Sequence, residues 1–419
     1  MSPEDRTFLS HLFHAAVAAA DPARVLPPFL PERPAGRTVV VGAGKGVAEL
    51  ARAFDGLWDA PLSGVVVTRH GQAVPAGRIR VMEAAHPVPD EAGVAAVAEI
   101  TAALEGLSPN DLVVALVTGG GSSLLPAPGP GLVLADEIAL NETLLASGAP
   151  ISVMNAIRKQ VSRVKGGRLA LAAHPAPVVS LIVSDVPGDD PAQVASGPTV
   201  PDRVTRADAR ALAAAWRIDL PPAITRALAG DDNPAPLPGD PRLARHQTHV
   251  IASSRLSLEA AARESEARGI PAHILSDAIE GEAREVGRVH AAIAREIALR
   301  SRPFTRPALI LSGGETTVTL RGKGRGGRNA EFLLAFAFAA EGLPLAALAA
   351  DTDGIDGSGA DAGAFASGTS ATRLRGLGHD PQALLAANDA WSAFAVLDDL
   401  FTTGPTGTNV NDFRAILIR

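Results

Sequence analysis

The stretch Asp111–Pro126, DLVVALVTGGGSSLLP, constrains the fold more than any other part of the chain. Leu112–Val117 is a short, β-branched apolar run bounded by turn residues, the pattern of a strand buried in a parallel sheet. Gly119–Gly121 let the backbone turn sharply and aim its N–H groups outward. The hydroxyls of Ser122 and Ser123 follow at once. The stretch therefore reads as a nest for an anion at the carboxyl end of a strand, where open α/β sheets hold their ligands. A second stretch, Leu309–Thr317 (LILSGGETT), repeats the design with Gly313, Gly314 and Glu315 in the loop. Two such loops predict two lobes that serve one polyanionic ligand.

A chain of 419 residues is too long for one ordinary core, so two domains are expected. The net charge of −7 gives no general attraction to nucleic acid or anionic membrane, so basic residues must be judged locally. The absence of Cys excludes disulfides, thiolate nucleophiles and Cys-ligated metal sites. The N-terminus, MSPEDRTFLSHLF, lacks a basic segment followed by an apolar one, so no secretion signal is read there. The most apolar stretch, Phe332–Ala350, is interrupted by Glu341, Gly342 and Pro344 and is not a membrane span. A cytoplasmic protein is expected.

Strands and helices alternate along the chain, which predicts a parallel sheet with helices on its faces. Strands are expected at Thr38–Val41, Gly64–Thr68, Arg78–Met82, Leu112–Val117 and Val178–Val183, and one long basic helix over Ser152–Ala173. Of its cations, Arg158, Lys159, Arg163, Lys165 and Arg168, most are read as a solvated face. Four prolines in Gly230–Arg242 place the domain boundary there, giving domains 1–236 and 243–419. A second α/β run follows, opening with a strand at His249–Ala252. Asn329 is the expected N-cap of an apolar helix over Glu331–Ala340.

Several motifs carry chemistry. Gly42–Gly46 follows a strand and precedes a helix, but it is a poor dinucleotide fingerprint. The third glycine position is Val47, and the next strand ends Thr68-Arg69-His70 rather than in an acid. It is not a P-loop either, because Lys45 is followed by Gly. What remains is a lysine in a glycine turn at a helix start, where both the dipole and the ammonium favour an anion. Arg321–Arg328 sets four cations among small residues next to the second glycine loop, with Arg328 nearest the following helix. Asp351, Asp353 and Asp356 do not make an EF-hand, since Ile355 occupies a ligand position. At a strand's carboxyl end they suit magnesium or a substrate hydroxyl, and Asp185 is placed similarly. An Asp-Gly turn is the plainer reading of Asp356. His86, ahead of Pro87, reads as a structured loop residue.

Taken in order, Gly42–Gly46, His86–Asp90, Gly119–Ser123, Ser184–Gly188, Ser312–Glu315, Gly326–Glu331, Asp351–Gly357 and Gly404–Val410 resemble the type II glycerate kinases with a MOFRL C-terminal domain. The resemblance covers nearly the whole chain. It implies an N-terminal Rossmann-like domain, a smaller α/β C-terminal domain and an active site in the cleft between them. It also implies ATP with magnesium, and phosphorylation of D-glycerate to 2-phosphoglycerate. Lys45 and an arginine of Arg325–Arg328, with Arg328 preferred, would be the catalytic cations. Asp185 or Asp351 would hold magnesium or orient the substrate hydroxyl, with Asp353 a further metal candidate. Gly44, Gly119–Gly121, Ser123, Gly313, Gly314, Glu315, Arg325 and Asn409 would contact the nucleotide, and Ser122 and Arg158 the glycerate. A homodimer is compatible with this reading. The alternative is an NAD(P)H-dependent hydroxypyruvate reductase, for which Gly42–Val47 is a poor cradle.

Overall fold

The computed structural model describes residues 1–357 and 359–419. They form two compact units, Pro22–Ile251 and Met1–Asp21 with Ala252–Arg419. Each unit is built on its own six-stranded sheet.

The sheet of the first unit comprises β1 (Thr38–Ala43), β2 (Ser63–Arg69), β3 (Ile79–Ala84), β4 (Leu112–Val117), β5 (Val178–Val183) and β6 (Gln247–Ala252). Their order is β3-β2-β1-β4-β5-β6, and the four pairs from β3 to β5 are parallel. Every residue of β1, β4 and β5 is buried. Central parallel strands are covered on both faces, which is why they read as unbroken apolar runs. Val39, Val41, Val113 and Ala115 pack with Ala96 and Ile100 of the helix Glu91–Ala103. That helix is capped by Asp90, whose side chain accepts from the Gly93 N–H. The strand order reverses between β1 and β4, so the crevice of this doubly wound sheet opens beside the two glycine turns.

The other unit contains β7 (Ala272–Ser276), β8 (Gly281–Glu282), β9 (Ala308–Ser312), β10 (Thr316–Thr317), β11 (Leu345–Asp351), β12 (Gly363–Ser367), β13 (Leu400–Phe401) and β14 (Asp412–Ile418). Its main sheet runs β13-β12-β11-β14-β9-β7. It is mixed: β7 and β9 are parallel, while the β9–β14, β14–β11, β11–β12 and β12–β13 pairs are antiparallel. Alternation along the strands assigns side chains to two cores. Ile310, Ala347, Ala349 and Ile416 meet the helices Ala283–Arg300 and Arg328–Ala339. Leu309, Leu311, Leu348 and Phe413 meet the helices Pro3–Ala18 and Ser254–Ala267.

Several sequence expectations need correcting. The division does not fall at Gly230–Arg242. That stretch is held within the first unit, where the Asn233 carbonyl accepts from Arg168 at 2.8 Å and the Gly230 and Asp232 carbonyls accept from Arg206. His249–Ala252 does not open a second series of strands; it lies in β6, beside β5. The first helix, Pro3–Ala18, belongs with the C-terminal sequence. Phe13 lies edge-on to Phe401 and Phe413, at centroid distances of 5.0 and 5.7 Å, and the Ser257 hydroxyl donates to the Ala16 carbonyl at 2.8 Å. The long helix over Ser152–Ala173 is two helices, Ile151–Gln160 and Arg168–Ala172. Between them the Ser162 hydroxyl accepts from the N–H groups of Val164 and Lys165, an alternative to the helical ladder. Its cations are not a solvated face: Lys159, Lys165 and Arg168 are buried, and only Arg163 is exposed. Lys159 pairs with Asp202, Lys165 with Glu137, and Arg168 donates to four bonds on three backbone carbonyls.

Phe13→Ala should lower the stability of the unit that contains residues 252–419 by about 3–5 kcal/mol, the usual cost of emptying a buried aromatic site. Urea unfolding followed at Trp391 reads this; an unchanged midpoint would place the N-terminal helix elsewhere.

Candidate functional site

In the first unit the turns after β1 and β4 lock together. The Lys45 N–H donates to the Gly119 carbonyl at 2.8 Å, and the Thr118 N–H donates to the Ala43 carbonyl at 3.0 Å. The Thr118 hydroxyl accepts from the Gly46 N–H at 3.1 Å, and the Thr68 hydroxyl donates to the Lys45 carbonyl at 3.1 Å. Gly44, at φ 142°, sits where a Cβ would stand 2.1 Å from Thr118 Oγ1, so only glycine permits this approach. The Lys45 side chain is thereby directed past Gly120, whose added Cβ would lie 3.0 Å from both Lys45 Cγ and His86 Nε2. Lys45 is half-buried, and its ammonium makes no hydrogen bond or ion pair among the described residues. His86 beside it is held neutral, its pKa lowered to about 4 by burial and then by the charges of Lys45 and Arg69. A neutral imidazole leaves the positive charge of Lys45 for a ligand.

Asp185 follows β5 and lies directly against Gly119, where a Cβ would come within 1.9 Å of its Oδ2. The structure thus brings Lys45, Gly119–Gly121 and Asp185 together beyond the carboxyl ends of β1, β4 and β5. Ser123 donates to the Gly120 carbonyl at 3.2 Å and so stiffens the turn. Ser122 leads away from it. Its hydroxyl is 2.7 Å from that of Ser196, which donates at 3.1 Å to Asn155, and Arg158 reaches the same Asn155 oxygen at 3.4 Å. Arg158 also donates to Asn141 at 2.7 Å. No carboxylate pairs with Arg158 among the described residues, and burial lowers its pKa against the opposing charge of Glu137. Ser196 and its neighbour Ala195 take φ of 60° and 51°, a left-handed pair that non-glycine residues adopt only under constraint. Sequence reading missed Asn155 and Ser196, which are buried. An Asn inside an apolar helical stretch was the available signal.

In the other unit, Arg328 is the first residue of the helix Arg328–Ala339, where a cation opposes the helix dipole. Three carboxylates offset this. Arg328 Nε bonds Asp412 at 2.6 Å, Nη2 bonds Asp351 at 2.6 Å, and Nη1 bonds Glu315 at 3.0 Å. Asp412 also pairs with Arg414, and both are completely buried. Burial works against the ionised Asp412, but Arg414 and Arg328 hold its carboxyl below the usual range. Burial pushes Asp351 well above that range, against the opposing charge of Arg328. Gly327 is the N-cap of this helix in place of the expected Asn329, and the Asp356 carboxylate, from another loop, accepts the N–H groups of Asn329 and Ala330 at 3.0 and 2.8 Å. Burial still raises its pKa to about 6. Sequence reading left Asp412 and Arg414 out of the site. Charged residues alternating into an apolar terminal strand were the clue.

Other candidates are engaged locally. The Gly313 N–H donates to the Ser276 carbonyl at 2.8 Å, so it is not the backbone donor expected for a ligand, and the Gly314 carbonyl accepts from Asp412 N at 3.0 Å. Asp353 accepts from the Ile355 N–H at 2.9 Å and from Asn409 at 3.3 Å, which makes Asn409 a support of that turn. The Arg325 guanidinium lies 3.7 Å over the Trp391 ring and keeps its edge for another partner. Among the described residues no three His, Asp or Glu side chains gather as a metal cage.

A family model described as "Domain of unknown function (DUF4147)" matches residues 8–229, and one described as "MOFRL family" matches residues 308–412. The chain is 53% identical over 417 residues to an Agrobacterium vitis protein named "Putative hydroxypyruvate reductase", covering 99% of this chain and 94% of that one. It is 37% identical to the "D-glycerate 2-kinase" of Thermotoga maritima, covering 96% of each. The crystal structure of glycerate kinase from Thermotoga maritima matches with a TM-score of 0.89 at 36% identity over 100% of both chains.

Asp412→Asn leaves two buried arginines short of a counter-charge and should destabilise the protein by about 3–5 kcal/mol. Urea denaturation checks this, and a midpoint within error of the parent protein would contradict the electrostatic account.

Proposed function

The chain belongs to the glycerate kinases that carry a MOFRL domain, and we propose that it transfers the γ-phosphoryl group of ATP to the 2-hydroxyl of D-glycerate, giving 2-phospho-D-glycerate. The observation that carries this reading is the Lys45 ammonium, half-buried and without a partner among the described residues, beside Gly119–Gly121 at the switch point of the first sheet.

Phosphoryl transfer passes through a loose transition state whose catalysis is positioning and neutralisation of spreading charge. Lys45 neutralises charge on the transferred group, while the N–H groups of Gly119–Gly121 and the hydroxyl of Ser123 surround its oxygens. Gly44 keeps the lysine turn close enough for this. Arg158, with no carboxylate partner among the described residues, binds the glycerate carboxylate, with Ser122 linked to it through Ser196 and Asn155. Asp185 holds magnesium or orients the attacking hydroxyl. Magnesium takes one or two carboxylates and completes its shell with phosphate oxygens and water, so one carboxylate placed against the glycine turn suits it. When bound, it supplies further neutralisation of the phosphates. Arg328 is the second catalytic cation; its Nη1 faces Glu315, which is half-exposed and the most easily exchanged of its three partners. The edge of Arg325 and the turns that carry Gly314, Glu315, Asp351, Asp353 and Asn409 complete the nucleotide and metal contacts. No helix is long and apolar enough to cross a membrane among the described residues, and a cytoplasmic enzyme is proposed, with a homodimer compatible.

The name of the Agrobacterium vitis relative favours a second reading, reduction of hydroxypyruvate by NAD(P)H. Against it stand Val47 at the third glycine position, Lys45 within the turn, and Thr68-Arg69-His70 where an acid would hold a ribose. Incubation with ATP, magnesium and D-glycerate should yield 2-phosphoglycerate, identified as the isomer by NMR. Oxidation of NAD(P)H by hydroxypyruvate, without phosphoglycerate formation from ATP, would overturn the proposal.

A further inference from the structure

Away from the lysine turn, the first unit contains a second cation-lined cavity of about 240 Å³. Its walls come from the Gly129–Leu132 loop, from Ser162, and from the helices Arg206–Ala215 and Pro222–Ala229 with the Gly230–Asn233 segment that follows. Arg206 and Arg226 line it from these two different helices, and Asp232 is the acid in its lining.

Neither arginine has a carboxylate partner among the described residues. The terminal nitrogens of Arg206 donate to the backbone carbonyls of Gly230 and Asp232, while its Nε is buried with no hydrogen-bond partner. Arg226 is exposed and makes no ion pair among the described residues. Behind the wall stands a third guanidinium, Arg168, also bonded only to carbonyls, with Asn233 among them. Arg168 and Arg206 repel one another, and with burial this lowers the pKa of Arg168 to about 10. Three guanidinium groups thus lie about one short segment with no ion pair among the described residues, although Asp232 stands in the cavity lining. A buried unsatisfied charged donor is costly unless a ligand meets it.

We propose that this cavity binds a phosphoryl dianion, either free phosphate or the phosphate group of a small metabolite, at a site separate from the lysine turn. A carboxylate presents two oxygens, which one guanidinium fork satisfies. A phosphate presents three oxygens and nearly two charges. It therefore suits cations brought from two helices, with Arg206 in the wall and Arg226 at the exposed side. The Asp232 carboxylate opposes a dianion, so the site holds one only through both arginines together. The inference does not rest on the kinase reading, because none of these residues takes part in it.

Calorimetric titration of the full chain with inorganic phosphate, at ionic strength matched with chloride, tests the site. Phosphate should still bind to Lys45→Ala, in which the lysine of the separate turn is removed. Arg226→Gln, a change at an exposed position that removes no core packing, should weaken binding by about tenfold or more, as for loss of one charge-assisted contact. Titration with a phosphate monoester such as glycerol phosphate separates the two sources: tighter binding than phosphate assigns the site to a metabolite, equal or weaker binding to the free ion. No measurable phosphate binding, binding lost in Lys45→Ala, or binding that Arg226→Gln leaves unchanged would each overturn the proposal.

Discussion

The pair of hydrogen bonds that ties the turn after β1 to the turn after β4 is the constraint on which the first unit's site depends. Lys45 N–H to Gly119 carbonyl, and Thr118 N–H to Ala43 carbonyl, fix two loops that emerge from neighbouring strands at the point where the sheet reverses its order. Because Gly44 lacks a Cβ, Thr118 approaches closely enough for its hydroxyl to accept the Gly46 N–H. The consequence is chemical. A lysine that would otherwise wander on a long flexible stem is aimed past Gly120 beside a neutral His86, with the Asp185 carboxylate set against Gly119. Strand order, turn geometry and side-chain charge thus converge on one place.

The basic residues divide by what surrounds them. Lys159, Lys165 and Arg168 sit fully inside the first unit, committed to Asp202, Glu137 and backbone carbonyls, and they organise the chain between Gln160 and Arg168. Such groups hold structure together by being satisfied, since a buried charge without a partner is strongly destabilising. In the other unit Arg414 does the same for Asp412, while Arg328 shares three carboxylates, one of them half-exposed. Lys45 and Arg158 differ in kind: each is brought inward by the fold yet has no acidic partner among the described residues. That distinction, rather than the count of cations, marks the residues suited to an anionic substrate.

The sequence made the glycine turns and their strands legible because φ > 0 and close backbone approach leave glycine as their signature, and because covered parallel strands are continuous apolar runs. Lys45 and Asp185 follow such runs and could be named from them, while Arg328 was named from its place after Gly326-Gly327 at a helix start. The cations after Ser152 were misread as solvated because burial of Lys159 or Lys165 depends on Asp202 and Glu137, distant partners that periodicity does not encode. The unit division was misplaced at Gly230–Arg242 because prolines signal a break in secondary structure, not a break in packing. Pro3–Ala18 showed that it had an apolar face but not that this face meets Phe401 and Phe413. The strand Gly363–Ser367 (GAFAS) went unread because its small residues lack the β-branched signature, although all five are buried.

The central claim is that the fold presents Lys45 to charge that grows during phosphoryl transfer. Steady-state kinetics of Lys45→Ala with ATP, magnesium and D-glycerate tests it most directly. The account predicts a fall in kcat by a factor on the order of a hundred or more, as for other removed charge stabilisers, with thermal stability little changed. Lys45→Arg should restore only part of the rate, since a planar fork does not replace a compact ammonium in a tight turn. A Lys45→Ala enzyme with kcat and KM close to those of the parent would contradict the account.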